Sequence, residues 1–431
     1  MRVARAAQPM RRCRPMVDVL RQIIAHNRAG APTAIPSVCS AHPDVLRASL
    51  RLAERQDRAV VIEATSNQVN QDGGYTGLTP AGFISFVNAL AEETKTDRAR
   101  IIFGGDHLGP QAWRKMPAAQ AMDKARVMVA GYVAAGFTKI HLDCSEGCAG
   151  EPAQLTDAQT VPRAADLARV AVSNAPDLLF VVGTEVPPPG GARTEDHADI
   201  PATLPASARA TLDAHMEAFA DIGEIGGLVV QPGVEFSPMS VFHLPLDRDP
   251  GLKATIAHHP GVCLEAHSTD YQHPAAFPRL AELGFAFQKV GPALTFAYRQ
   301  AVYALDQLRA DAGWGDPVIR PEMERLMLAN PGYWQGHYHG NAASLHLQRH
   351  FGLADRIRYY WPQAGAQKVV SRLLTDLTAR AIPAPLLWQH FAPEVLDRAD
   401  RIGGPLPQAL VAAQIEMALD PYFFGDGAAA S

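Results

Sequence analysis

The chain has 431 residues, 47% of them hydrophobic and 19% charged, the balance of a globular protein with ample material for a large core. Its net charge of −5 and pI near 6.3 point away from a nucleic-acid partner, and no apolar stretch reaches the roughly 18 residues of a membrane span. The five cysteines, Cys13, Cys39, Cys144, Cys148 and Cys263, make no CxxC and no even framework, which suits a reducing cytoplasm.

The first 16 residues carry Arg2, Arg5, Arg11, Arg12 and Arg14 with no acid among them. They lack an apolar h-region and a small-residue cleavage site, so they read as a disordered basic tail or as sequence ahead of a true start at Met16. From residue 34 to about 300 one pattern recurs: an apolar run, a polar or glycine-rich loop, then a helical stretch. The apolar runs at 34–39, 59–64, 100–105, 138–143, 178–184, 226–231, 261–266 and 285–290 predict strands. Segments such as Asp44–Arg55 and Ala118–Ala135 predict the helices between them. This pattern predicts an α/β fold, a (β/α)8 TIM barrel over 17–300. An open doubly wound sheet is the alternative, but no GxGxxG follows the first strand. Over 301–431 the strands stop; Asp316–Leu328, Gln367–Ala379 and Gln408–Leu419 predict a helical extension packed on the barrel.

The candidate chemistry lies at the strand ends. The run at 101–110 passes from Ile-Ile-Phe-Gly-Gly into Asp106-His107 and then Leu-Gly-Pro. An Asp-His pair at the carboxyl end of a parallel strand is either an active-site pair or a helix cap. The other ends offer His42; Asn67 and Gln68; Asp143 and Glu146; Glu185; Gln231; His267, Ser268 and Asp270; and Lys289 and Gly291. Eight polar ends of this composition predict one rim, with capping at eight separate turns as the competing reading. Asp106, Asp143 and Asp270 are the candidate catalytic carboxylates. His42, Asn67, Gln68, Glu146, Gln231, Ser268, Lys289 and Gly291 are candidate substrate ligands.

Alternate barrel strands fill the same interior layer, so His107, Glu185 and His267 on strands 3, 5 and 7 can converge. Two imidazoles and a carboxylate suit a divalent metal such as Zn²⁺, with Asp143 able to replace one of them or join them. Hydrogen-bonded histidines without a metal are the alternative. Loops after strands 7 and 8 often hold phosphate in such barrels, and here they carry Ser268, Thr269, Lys289 and Gly291, with pairing of Lys289 to a nearby carboxylate as the alternative. In the C-terminal part, the run His337-Tyr338-His339-Gly340-Asn341 could cover the site. Arg356, Arg358, Tyr359, Tyr360 and Trp361 form a basic–aromatic cluster that reads as an interface or lid.

Longer blocks carry a resemblance. Among them are Cys39-Ser-Ala-His-Pro43, Ile62-Glu-Ala-Thr-Ser-Asn-Gln-Val69 and Gly104-Gly-Asp-His-Leu-Gly-Pro110. Further blocks are Ile140-His-Leu-Asp-Cys-Ser145, Gly183-Thr-Glu-Val-Pro187, Val229-Val-Gln-Pro-Gly-Val-Glu-Phe236, Glu265-Ala-His-Ser-Thr-Asp-Tyr-Gln272, Lys289-Val-Gly-Pro-Ala-Leu-Thr-Phe296 and Tyr359-Tyr-Trp-Pro362. Over about residues 17–420 the chain resembles the tagatose-bisphosphate aldolase Z-subunit family (GatZ/KbaZ), whose members were once called tagatose 6-phosphate kinases. The resemblance implies a class II aldolase-like barrel and one of two roles. One is a D-tagatose 6-phosphate 4-epimerase making D-fructose 6-phosphate. The other is a noncatalytic subunit that stabilises a class II D-tagatose-1,6-bisphosphate aldolase. Asp106-His107 matches the metal-binding pair of class II aldolases, whereas Glu185-Val186 stands where Gly-Thr-x-His would be expected. The expected partners are a sugar phosphate, an aldolase subunit on the second branch, or further copies of the chain. No GxxxxGK[ST] is present to support a kinase.

Carbon 4 of a 2-ketose is β to the carbonyl, so its hydrogen is not acidic and simple enolisation cannot invert it. Transient oxidation would need a nicotinamide, for which the chain shows no fingerprint. Cleavage between carbons 3 and 4, turning the aldehyde over and re-adding it, needs a divalent metal and an acid/base. Asp106 or Asp143 is the expected acid/base, with His107, Glu185 and His267 on the metal.

Overall fold

The computed structural model describes residues 16–175, 177–183 and 200–425. The basic segment ahead of Met16 lies outside them.

Eight parallel strands close into a barrel in sequence order. They are β1 (Ile35–Val38), β2 (Val60–Thr65), β3 (Ile101–Leu108), β4 (Lys139–Leu142), β5 (Leu179–Gly183), β6 (Glu224–Val229), β7 (Cys263–Ala266) and β8 (Phe285–Val290). Apart from half-buried Phe103, their Val, Ile, Leu and Phe side chains are buried on both faces, as strands lined inside and covered outside require. Helices follow β1 to β5, β7 and β8; a 3-10 turn, Leu252–Ile256, stands in the unit after β6. That unit also carries a short antiparallel hairpin, Glu235–Phe236 with Val241–Phe242. Local chemistry sets the helix starts. Thr79 Oγ1 accepts the Gly82 amide at 3.2 Å ahead of Pro80–Thr94, and Thr156 and Gln159 form a capping box ahead of Asp157–Asn174.

The amino-terminal end of the barrel is plugged by helix Met16–Arg28, which the sequence pattern did not lead us to expect. Its Val17, Leu20, Ile23 and Ile24 pack on Ile35, Val61, Ile102, Leu179 and Phe287. Each such side chain, fully buried, contributes about 1.5–3 kcal/mol. The lower interior is therefore apolar, and the polar chemistry is confined to the opposite end.

Beyond the barrel, helices Ile319–Ala329, Ala364–Thr378 and Leu406–Leu419 lie close to the three predicted spans, and Ala342–Phe351, Ala384–His390 and Pro393–Ile402 are further helices that were not predicted. Helix Leu406–Leu419 packs across Pro292–Asp311 and Pro43–Arg55. Its Glu416, 0% exposed, pairs with Arg55 at 2.5 Å and Arg398 at 3.5 Å. No described helix is long and apolar enough to cross a membrane.

Candidate active site

Inside the carboxyl half of the barrel the apolar lining gives way to charge. Glu63, Lys139 and Glu265 project from β2, β4 and β7 and are all 0% exposed. Lys139 Nζ bridges Glu63 Oε1 at 2.6 Å and Glu265 Oε2 at 2.5 Å. Lys289, on β8, lies one layer above: it contacts Asp106, with Glu63 Oε2 at 3.3 Å and Glu265 Oε1 at 3.8 Å. Burial pulls both ammonium groups down, but the surrounding carboxylates outweigh it and keep both pKa values raised. Gly104 makes room for this cluster, because a Cβ there would meet Glu63 Cγ at 2.7 Å.

Above the ionic layer three imidazoles face one another. Ring centroids lie 4.8 Å apart for His107 and His141, 5.1 Å for His107 and His267, and 5.3 Å for His141 and His267. Together with Asp106 they bring ligand atoms within 4.8 Å of one another. Each ring has one nitrogen tied to an oxygen acceptor. His107 Nδ1 meets Asp143 Oδ2 at 2.8 Å, His267 Nε2 meets Glu265 Oε1 at 2.9 Å, and His141 Nε2 meets the Gly183 carbonyl at 3.0 Å. This is how metal-ligating histidines are usually oriented. His141 Nδ1 also approaches Asp106 Oδ1 at 2.9 Å, a contact that needs a proton or a cation between two lone pairs. Counting the described residues, the carboxylates Glu63, Asp106, Asp143 and Glu265 are set against the ammonium groups of Lys139 and Lys289 and the three imidazoles. With the imidazoles neutral, as metal ligation requires, the formal excess of two negative charges, four carboxylates against two ammonium groups, matches a divalent cation. The residues present fit a divalent metal.

The electrostatics follow. Burial pushes the Asp106 carboxyl up, yet His107, Lys289 and His141 hold it well below the ordinary carboxylate range. Burial likewise opposes ionisation of Asp143, and the His107 hydrogen bond and charge outweigh it. Burial lowers His107 but Asp106 and Asp143 lift it above the usual imidazole value, while burial and the Lys289 charge depress His267. Two backbone positions here are strained. His107 at φ 46° and Ser268 at φ 50° sit in the left-handed region, where non-glycine residues persist only when their surroundings hold them.

The structure amends several expectations. Asp106 and His107 do not follow β3; they form an irregularity inside it, where the pairing with β4 slips between Gly105 and Leu108. That slip lets His107 meet His141 of the neighbouring strand, so the imidazoles do not obey the odd-strand rule. His141 was missed for that reason. Glu185, the third expected ligand, lies outside the described residues. Lys289 faces inward to the carboxylates rather than out to a phosphate. Gly291 and Ala293 give their amides to Asp270 Oδ1 at 3.1 and 2.7 Å, which makes Asp270 a cap on the last barrel helix. Burial raises that carboxyl to about 6.

The remaining candidate ligands do structural work. His42 Nδ1 accepts the Asp44 amide at 3.3 Å at a helix start, and its ring lies 4.0 Å from that of Tyr298. Gln231 Oε1 accepts the Gly233 and Val234 amides, each at 2.9 Å. Gln68 Oε1 accepts the Thr65 amide at 3.0 Å, whereas Asn67 is exposed. Glu146 pairs with Arg114 and Gln111.

A second group was missed altogether. Glu235, in the hairpin after β6, is 0% exposed, and burial raises its carboxyl to about 7. Its Oε1 accepts the Phe236 amide at 2.8 Å. Ser268 lies beside it, and neither Glu235 Oε2 nor Ser268 Oγ finds a further hydrogen-bond partner among the described residues. An acid inside the apolar run Val-Glu-Phe was the available signal.

Residues 20–426 match the family described as D-tagatose-1,6-bisphosphate aldolase subunit GatZ/KbaZ-like. The chain belongs to this family. An Agrobacterium fabrum protein named D-tagatose 6-phosphate 4-epimerase is 46% identical over 427 residues, covering 96% of this chain and 99% of that protein. The crystal structure of a probable tagatose 6 phosphate kinase from Sinorhizobium meliloti superposes with a TM-score of 0.83 at 43% identity. It covers 90% of this chain and 99% of that one.

Proposed function

We propose that this GatZ/KbaZ-like chain is an epimerase that inverts carbon 4 of a ketose phosphate, converting D-tagatose 6-phosphate into D-fructose 6-phosphate. The observation that carries the reading is the convergence of His107, His141, His267 and Asp106 over a buried ionic cluster. The relative named as that epimerase, 46% identical over 427 residues, supports it.

Cleavage between carbons 3 and 4 yields the enediolate of dihydroxyacetone and glyceraldehyde 3-phosphate. Rotation of the aldehyde and re-addition on its other face inverts carbon 4 and restores every bond and proton. His107, His141 and His267 would hold a divalent ion, zinc by their donor type, which when bound supplies Lewis-acid stabilisation of the enediolate charge. The chain's own residues do the rest. Asp143 and Glu265 fix the orientation of the His107 and His267 rings. Asp106 and Asp143, expected from the sequence to exchange the proton, are held anionic and act as positioning groups. Glu235, near 7, is the carboxyl suited to take the 4-hydroxyl proton and return it after re-addition.

The test is the purified chain alone with tagatose 6-phosphate, assayed for fructose 6-phosphate, with His267→Ala and a chelated sample alongside. Turnover by wild type that both controls abolish is the expected result. A wild type that needs no metal, or that turns over nothing yet prolongs the life of a co-expressed class II aldolase, would overturn it; the latter outcome favours the accessory-subunit role.

A further inference from the structure

The retro-aldol route places the phosphate on the aldehyde half, which must rotate without escaping, so the site needs a phosphate anchor. The loops after β7 and β8 are the usual place in such barrels. Here the donors after β8 are engaged: Gly291 and Ala293 amides point at Asp270 Oδ1 at 3.1 and 2.7 Å, and Lys289 is turned into the barrel. A carboxylate stands where a phosphate would bind.

The C-terminal extension supplies another set of donors. The 3-10 turn Arg356–Tyr360 brings two partly buried guanidinium groups against Tyr359, with Arg356 Cζ 5.1 Å and Arg358 Cζ 4.5 Å from its ring centre. Tyr359 stacks on Tyr333 at 5.1 Å and meets the edge of Tyr75 at 4.9 Å. Tyr75 comes from the loop after β2, so this turn is docked on the catalytic rim. Neither guanidinium pairs with a carboxylate among the described residues. Arg356 donates to the Tyr333 carbonyl. Arg358 donates to the carbonyls of Ala354 and Asp355, the latter at 3.2 Å, and to the Tyr359 hydroxyl at 2.9 Å. Arg356, bonded also to Tyr359, keeps most of its five donors unused among the described residues. His337 lies in the field of Arg356, Arg114 and Arg358, and burial together with those charges holds it down to about 4. Cationic groups gathered at a rim with too few anions suit a dianion bound by forked charge-assisted hydrogen bonds.

We propose that Arg356 and Arg358, with Tyr359 and His337 beside them, bind the phosphate of the sugar phosphate and tether the aldehyde half during its rotation. This rests on the epimerase reading for the identity of the substrate, but phosphate binding by itself does not.

Two arms test it, using Arg356→Gln and Arg358→Gln, each checked for an unchanged circular dichroism spectrum. In the first, inorganic phosphate binding is measured by calorimetry on the full chain. In the second, KM and kcat for tagatose 6-phosphate are measured together with release of glyceraldehyde 3-phosphate. Losing such contacts is expected to weaken phosphate binding and raise KM by about 10- to 100-fold. Leakage of glyceraldehyde 3-phosphate should rise per turnover. If Arg358→Gln does not fold, Arg356→Gln alone carries the test. Phosphate affinity and KM both within about twofold of wild type would overturn the proposal. A wild type that turns over no ketose phosphate, with phosphate binding still lost in the variants, would refute the epimerase reading and support this site.

Discussion

Lys139 offers a demanding test of the ionic layer beneath the imidazoles. Its ammonium is 0% exposed and lies 2.6 Å from Glu63 and 2.5 Å from Glu265, themselves 0% exposed. Lys139→Met keeps the length and removes the charge. Among the described residues Lys289 is then the one ammonium left to Glu63 and Glu265, at 3.3 and 3.8 Å and shared with Asp106. Breaking a buried pair from one side costs about 3–5 kcal/mol, because the surviving carboxylate remains desolvated. The double substitution Lys139→Met with Glu265→Gln removes charge from both sides, so it should cost less than the sum of the two single changes, with a coupling of about 1–3 kcal/mol. Urea denaturation of the four proteins measures this directly. The deficit of Lys139→Met should also shrink as pH falls through the carboxylate range, where protonation relieves the uncompensated charge. A single-variant cost below about 1 kcal/mol, with no coupling, would refute the dry ionic layer and the charge count built on it.

Glu235→Gln should stabilise the protein at pH 8. Its carboxyl is raised to about 7 in the fold against 4.5 in the unfolded chain, so wild type loses stability as pH rises from about 4.5 through 7 and then levels off. The gap corresponds to at most about 3 kcal/mol, read from urea midpoints of wild type and variant across that pH range. The same variant should lose turnover at every pH. Asp143→Asn should lower metal affinity or kcat/KM by about 10- to 100-fold by freeing the His107 ring held at 2.8 Å, which metal titration and kinetics on one preparation can check. Glu416→Ala strips the acid partner from half-exposed Arg55 and leaves Arg398 with Asp420 at 2.6 Å, so it should lower the urea unfolding free energy by about 1–3 kcal/mol while leaving KM unchanged.

The barrel was legible because its strands are continuous apolar runs, the pattern that burial on both faces imposes. Boundaries moved by a few residues, as at β6, which begins at Glu224. The rim was legible in part, since Asp106, His107, Asp143 and His267 do converge. What failed was attention to charge inside the strands. Glu63, Lys139, His141 and Glu265 interrupt apolar runs, and an ionisable residue in a buried run must face a partner across the barrel. The slip in β3 could not be read from spacing, because it is a property of the pairing between β3 and β4 rather than of either run alone. The plug helix was not predicted, because the strand–helix pattern was followed only from residue 34, although Val17, Leu20 and Ile24 repeat at helical spacing. Lys289 and Gly291 were assigned to phosphate by analogy with other barrels, before Asp270 could be seen occupying that loop.

The central claim is that this chain, without a partner, inverts carbon 4 by breaking and remaking the bond between carbons 3 and 4. Tagatose 6-phosphate incubated with the purified metal-loaded chain in D₂O, followed by NMR, tests it most directly. The predicted result is fructose 6-phosphate that keeps protium on carbons 3 and 4, because the cleavage moves neither hydrogen. No product from the chain alone, or product carrying deuterium at carbon 4, would contradict it.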